Sequence, residues 1–258
     1  MSGHVAAIYR HPLKGFTPER LDTAELVPGA GLRHDRIYAV ENGPSGYDPA
    51  APAFISKQKF TVLAALPQVA AVRSRLDDAT GVMTAEAPGA PIFAGRLDEA
   101  TDRAAFESWL TEFLGENARG PLRVVSATGG FRFWDHPAGH VSIVNLASVR
   151  DLSDLVGVEL DPLRFRANLY VEGWPAWVEN GWAGQALMVG WARAEVYKPI
   201  VRCAAIHVDP TSAVQDLDLT KALFDQYGHM NCGIYVHMQT GGHVGVGDAV
   251  TAPQATPA

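Results

Sequence analysis

The chain has 258 residues, of which 47% are apolar and 19% charged, with a formal charge of −7. That size and apolar share support a sizeable core and exclude a disordered or collagen-like chain. The acidic balance argues against nucleic acid as the main ligand, since a phosphate backbone calls for a broad basic face. No apolar run is long enough to span a bilayer, and the first residues lack a signal-peptide pattern, so a cytoplasmic protein with no membrane partner is expected. The two cysteines, Cys203 and Cys232, cannot build a disulfide framework, an all-cysteine metal site or an ordinary iron–sulfur cluster.

In chain order, the first hundred residues read as short strands separated by turn chemistry: Val5–Tyr9, Thr23–Val27, Ile37–Glu41, Gln68–Leu76 and Gly81–Glu86. A helix follows over Asp102–Leu114, where Phe106, Trp109, Leu110, Phe113 and Leu114 recur at helical spacing between an Asp102 cap and Gly115. Strands are then expected at Leu122–Ser126 and His140–Val144, followed by a helix over Leu146–Val156 that stops at Gly157. Further strands are expected at Leu169–Val171, Glu195–Tyr197 and Val201–Val208. A helix over Leu219–Tyr227, between Asp218 and Gly228, precedes the last strands at Gly233–Met238 and Asp248–Thr251. Strands outnumber helices and no βαβ alternation appears, which points to a β-rich α+β fold, a barrel with a few peripheral helices. The Gly/Pro-rich stretch Glu86–Gly95 suggests an N-terminal β subdomain over 1–95, a core domain over 96–251 and a frayed tail over 252–258.

A cysteine in an apolar strand is commonly a buried small hydrophobe. Around Cys203, however, stand Arg202 and Lys198, cations that favour the metal-binding thiolate, and Pro199 marks a strand reaching a rim. Cys232 has no cationic neighbour in sequence and reads as core filler. In Arg164-Phe165-Arg166-Ala167-Asn168 the polar residues alternate, so a strand would put Arg164, Arg166 and Asn168 on one face. They would then form either an exposed edge or a phosphate site, since guanidinium forks match phosphate oxygens. His11-Pro12-Leu13-Lys14 and Arg33-His34-Asp35-Arg36 offer further cations. The nine histidines form no paired helical ligand motif, and Gly241–Asp248 reads as a turn into a final strand and not as a phosphate-cradling loop.

In order along the chain, these segments resemble the MOSC family, named for the C-terminal domain of molybdenum cofactor sulfurases. The resemblance runs through Ser142-Ile143-Val144-Asn145-Leu146-Ala147-Ser148-Val149, Arg164 to Asn168, Arg202-Cys203, Val208-Asp209-Pro210 and Val246-Gly247-Asp248. Tyr9 to Lys14 and Arg36 to Val40 are similar to the β-barrel region that precedes MOSC in one branch. The chain looks like the mitochondrial amidoxime-reducing component and its bacterial relatives.

The resemblance implies a MOSC-type barrel and a molybdenum–pterin cofactor (Mo-molybdopterin) with Cys203 as metal ligand and catalytic centre. Lys14, Arg36, Asn145, Ser148, Arg164, Arg166, Asn168 and Arg202 would hold the pterin and its phosphate. Asp135 would be a proton donor to a small N-hydroxylated substrate. Gly15 stands where relatives usually carry serine. With no glycine-rich flavin or nicotinamide fingerprint in the chain, a separate ferredoxin- or cytochrome-type protein with its reductase would supply electrons. Two other readings are a sulfur or cofactor carrier using Cys203, and a binding module without catalysis.

Overall fold

The structure, a computed structural model, describes residues 1–118, 120–137 and 141–253. His140 and residues 254–258 of the expected tail lie outside the described residues. From the N-terminus the strands are β1 (Ser2–Arg10), β2 (Glu19–Leu21), β3 (Thr23–Val27), β4 (Gly31–Leu32), β5 (Tyr38–Asn42), β6 (Arg73–Leu76), β7 (Met83–Glu86) and β8 (Phe93–Gly95). Helix α1 (Ala100–Leu114), β9 (Leu122–Ser126), β10 (Val141–Asn145), α2 (Leu146–Val156), β11 (Leu169–Glu172), β12 (Ala186–Val189) and β13 (Ala192–Val201) follow. The chain continues through α3 (Leu219–Tyr227), β14 (Asn231–Met238), β15 (Gly242–Gly245) and β16 (Ala249–Thr251).

A closed barrel forms the centre. The ring runs β11-β10-β14-β13-β12-β16-β1 and closes where β1 pairs back onto β11. The first strand of the chain therefore completes a ring otherwise built from the C-terminal half. Closure leaves no unpaired edge in the ring. Alternate residues of each strand fill the interior: Val5, Ile8, Ile143, Val171, Val196, Ile234, Val236 and Val250 are all buried. A second core packs α1 against β5–β9 through Phe106, Trp109, Leu110, Met83 and Val124, and includes Leu13 and Val208. A third lies under α2 and α3 and holds Cys232, fully buried as expected of core filler.

Helices α2 and α3 have the expected bounds. Asn145 accepts from the Ala147 N–H and Asp218 from the Lys221 N–H, while Gly157 and Gly228 end them with φ near +70°. These are side-chain caps at the start and left-handed caps at the end. Helix α1 begins at Ala100, ahead of the expected cap: Asp102 lies in the first turn and accepts from the Arg96 N–H instead.

Three strand expectations fail. Residues Pro67–Ala71 form a 3₁₀ turn, so only Arg73–Leu76 of that run is strand. The segment Pro162–Phe165 is also a 3₁₀ turn, capped by Asp161 and followed by Arg166 in the left-handed region, so Arg164, Arg166 and Asn168 share no strand face. Finally, β13 ends at Val201 and Cys203 opens another 3₁₀ turn, Ala204–His207. The pairing of β13 with β14 shifts register between Val196 and Lys198 and again between Pro199 and Val201. Such bulges bend a strand and re-aim its side chains at a barrel rim, which carries Cys203 off the sheet.

Candidate functional site

The cleft lies against the outer face of the barrel, where Ser142 and Tyr235 alternate with the interior Ile143 and Ile234, and it draws on distant parts of the chain. Segment 11–14 runs beside the start of β5: the Lys14 N–H donates to Tyr38 O (2.8 Å), the Tyr38 N–H to Pro12 O (3.0 Å) and the Arg36 N–H to His11 O (2.6 Å). Those bonds set Lys14 and Arg36 side by side. Arg36 and Arg166 both adopt φ of +51°, a conformation that costs a non-glycine residue about 1–3 kcal/mol and persists only where its surroundings enforce it.

Asp35 ties the segments around Arg36 together. Fully buried, it accepts from the His11 N–H (2.8 Å) and Asn168 Nδ2 (3.0 Å) and pairs with Arg36 Nη1. Arg36 Nη2 reaches Arg166 O (3.4 Å), while Arg166 Nη2 donates to Phe16 O (2.8 Å) and meets His11 Nδ1 at 3.2 Å. Burial, with Arg36 and Arg166 alongside, pushes His11 well below its ordinary pKa. Its ring is therefore neutral at pH 7. Its partners assign the proton to Nε2, facing Ala167 O (3.4 Å), and leave Nδ1 as the acceptor for Arg166. Burial and the nearby Arg36 lower Arg166 to about 10, so it stays charged at neutral pH.

Cys203 lines the cleft together with Arg36, Lys57, Asp135, Arg166, Lys198, Arg202 and Tyr235. Lys57 Nζ donates to Cys203 Sγ at 3.0 Å. Burial would lower the Lys57 pKa, but Cys203, Asp135 and Tyr235 carry it above the ordinary lysine value. Lys14 Nζ is buried, donates to Phe133 O (3.0 Å) and pairs with Asp135. Burial would raise the Asp135 carboxyl, yet Lys14, Arg36 and Lys57 hold it well below the usual carboxylate range. Asp135 is thus ionised at neutral pH. Burial and Asp135 instead raise the Tyr235 phenol, which keeps its proton.

Of the residues expected at the cofactor, Lys14, Arg36, Asp135, Arg166, Asn168, Arg202 and Cys203 gather around this cleft. Asn168 is engaged on both ends of its amide, accepting from Ser142 Oγ (2.9 Å) and donating to Tyr9 O (3.2 Å) as well as to Asp35. Arg202 lines the cleft but donates to Phe165 O (2.7 Å) and Cys232 O. Arg164 also borders the cleft, with its fork committed to Asp209 and Asp216.

Asn145 and Ser148 do not line the cleft. Asn145 Nδ2 (3.0 Å) and Ser148 Oγ (3.0 Å) donate to the buried carboxylate of Glu179, under the start of α2. Gly15 has φ of +90°, and a Cβ there would sit 2.2 Å from Thr61 O, so the glycine is required by the backbone next to Lys14. Lys57 and Tyr235 escaped the sequence reading. Lys57 is 146 positions from Cys203, in the unremarkable stretch Ser56-Lys57-Gln58-Lys59, and no local signal marks it.

Among the described residues, no three His, Cys, Asp or Glu side chains gather as a metal cage. The protein brings one thiol and a surplus of cations. That donor set suits a metal already chelated by an anionic, sulfur-bearing carrier: the thiolate adds a soft ligand and the cations neutralise the carrier's charge.

Among solved structures, the chain resembles YuaD from Bacillus subtilis, at 14% identity over 97% of this chain and 94% of that one, with a TM-score of 0.46. It also resembles YiiM from Geobacillus stearothermophilus, at 18% identity and a TM-score of 0.36, over 44% of this chain and 53% of that one. YiiM from Escherichia coli matches at 17% identity and a TM-score of 0.33, over 47% of this chain and 58% of that one. No curated protein matches the chain significantly. The family models are decisive: the MOSC N-terminal beta barrel domain matches residues 2–119 and the MOSC domain matches 132–251. The chain belongs to the MOSC family, in the branch that carries the N-terminal barrel domain.

Proposed function

We propose that this protein is a molybdenum-cofactor-dependent oxidoreductase that reduces N-hydroxylated compounds, amidoximes and hydroxylamines, with Cys203 as the protein ligand to the metal. Family membership fits a molybdenum-cofactor-associated role. The observation that carries the reading is Cys203 itself: a thiol at a barrel rim, hydrogen-bonded to Lys57, in a cation-lined cleft of an acidic protein. When bound, the cofactor supplies two-electron redox chemistry at a metal already held by sulfur.

The chain's own residues do the rest. Arg36, Arg166 and Lys14 offer the charge that a pterin phosphate needs, and the Asp35 network around the arginines, with Phe133 O and Asp135 at Lys14, fixes their geometry before any ligand arrives, which lowers the cost of binding. Lys57 holds Cys203 and carries a proton beside it. Asp135, kept anionic, orients Lys14. Tyr235, with its phenol proton retained, is a second donor toward a substrate oxygen that must leave as water. Electrons come from a separate ferredoxin- or cytochrome-type protein with its reductase.

The test uses protein from a host that makes the cofactor. It should reduce an amidoxime with an artificial one-electron donor and be inactive with reduced nicotinamide alone. Loaded protein that stays inert with artificial donors across a panel of N-hydroxylated compounds would overturn the reductase reading in favour of a cofactor or sulfur carrier.

A further inference from the structure

Arg164 belongs to the motif that suggests an anion site, but its hydrogen bonds lead elsewhere. A guanidinium has five N–H donors. Nη1 donates to His207 O (3.1 Å) and Asp216 Oδ1 (2.7 Å), and Nη2 to Asp209 Oδ2 (2.9 Å) and Asp216 Oδ2 (2.7 Å). Only Nε lacks a partner, and it is buried. The Nη1–Nη2 fork is taken by the carboxylate of Asp216, and the Nη2 end of the other fork is held by Asp209, so neither pair of N–H groups is open to grip a phosphate.

All three partners sit on the connection that leaves Cys203. Cys203 heads the 3₁₀ turn that ends at His207. Beyond it, Asp209 closes a tight loop by accepting from the Thr211 N–H (3.0 Å) and Ser212 N–H (2.7 Å). The Asp216 N–H returns to His207 O (3.2 Å). Arg164 therefore fastens this connection at three points. The residue before Cys203 is tied from the other side to the 3₁₀ turn that carries Arg164, Pro162–Phe165, since Arg202 donates to Phe165 O. Cys203 is pinned on both flanks to one short turn.

We propose that Arg164, with Asp209 and Asp216, is a positioning device that holds the Cys203 thiol in place, and not part of the anion site. This deepens the reading of Cys203 as the working thiol and rests on it. The device gives the Val208-Asp209-Pro210 segment a purpose: its carboxylate is the anchor for the turn that carries the sulfur.

Asp216→Asn is the informative variant because it is nearly isosteric and the two readings predict opposite results. The assay is iodoacetamide alkylation of cofactor-free protein at one fixed pH, with peptide mapping to separate Cys203 from Cys232, alongside molybdenum content of protein from a cofactor-competent host. If Arg164 positions Cys203, Arg164→Met and Asp216→Asn should both loosen the turn that carries the half-buried thiol and speed Cys203 alkylation severalfold, in the same direction although they change the local charge oppositely. Buried Cys232 should stay protected in both, which a general loosening of the fold would not allow. Molybdenum content should fall in both.

Unchanged Cys203 alkylation in Asp216→Asn would overturn the proposal. So would molybdenum that falls in Arg164→Met yet holds or rises in Asp216→Asn, because freeing the fork would then favour the anion. Should Arg164→Met fail to fold, Asp216→Asn and Asp209→Asn decide by the same criteria. If even the wild type binds no molybdenum, the reductase reading fails while the alkylation result still stands by itself.

Discussion

Placing serine at position 15 should damage this protein. Gly15 has φ of +90°, and a Cβ would lie 2.2 Å from Thr61 O, a backbone atom itself fixed because the Thr61 N–H donates to Val40 O (2.9 Å). Neither side can give without moving main chain. The positive φ costs a side-chain-bearing residue about 1–3 kcal/mol, and forcing atoms into a packed site costs about 1–3 kcal/mol more. At about 2–4 °C per kcal/mol for a chain of this size, Gly15→Ser should lower Tm by roughly 5–20 °C. Lys14 is the adjacent residue, so the displacement should also reach its pairing with Asp135 and reduce cofactor retention. Thermal unfolding followed by circular dichroism measures the first effect and molybdenum analysis the second. A Gly15→Ser protein that melts within about 2 °C of the wild type and keeps its metal would refute the reasoning.

Two further perturbations follow from the charges. Burial raises the Glu179 carboxyl above its ordinary value, so the folded state binds its proton more tightly than the unfolded state does. That contribution is complete below the unfolded pKa and is lost as pH rises through the folded one. Glu179→Gln should therefore gain stability relative to the wild type as pH rises from acid to neutral, and denaturant curves showing a flat or opposite difference would contradict this. Lys57→Met removes a charge-assisted hydrogen bond to Cys203, worth about 1.5–3 kcal/mol when well buried and less at this partly exposed site. Cofactor retention should fall about tenfold and recover in part in Lys57→Arg; equal retention in Lys57→Met would remove Lys57 from the site.

How much of this could be read from sequence depended on whether the determining interaction was local. Helices α2 and α3 matched to the residue because Asn145, Asp218, Gly157 and Gly228 act within one turn of the ends they set. The run Val201–Val208 reads as strand because Val201, Cys203, Ile206 and Val208 are apolar and no glycine or proline interrupts it. What ends it is a pair of register shifts against β14 and the pull of Arg202 on Phe165 O, both long-range. Arg164 to Asn168 failed for another reason. It alternates polar and apolar residues like a strand, but the Asp161-Pro162 pair just ahead of it is a local start signal for a turn, and the structure uses that signal. Within the site, Cys203, Lys14, Arg36 and Arg166 stood out as thiol and cations. Whether such a residue faces a ligand or a neighbouring carbonyl depends on partners that may lie far along the chain, as Glu179 does for Ser148 and Asp216 does for Arg164.

The central claim is that Cys203 is the protein's ligand to molybdenum. Molybdenum K-edge absorption on protein from a cofactor-competent host tests it directly, with wild type, Cys203→Ser and Cys232→Ser compared at matched metal content. The wild type and Cys232→Ser should share one sulfur shell, and Cys203→Ser should show one fewer sulfur neighbour, because an un-ionised hydroxyl is a poor substitute for a soft thiolate. An identical sulfur shell in Cys203→Ser, or a wild-type protein that carries no molybdenum from such a host, would contradict it.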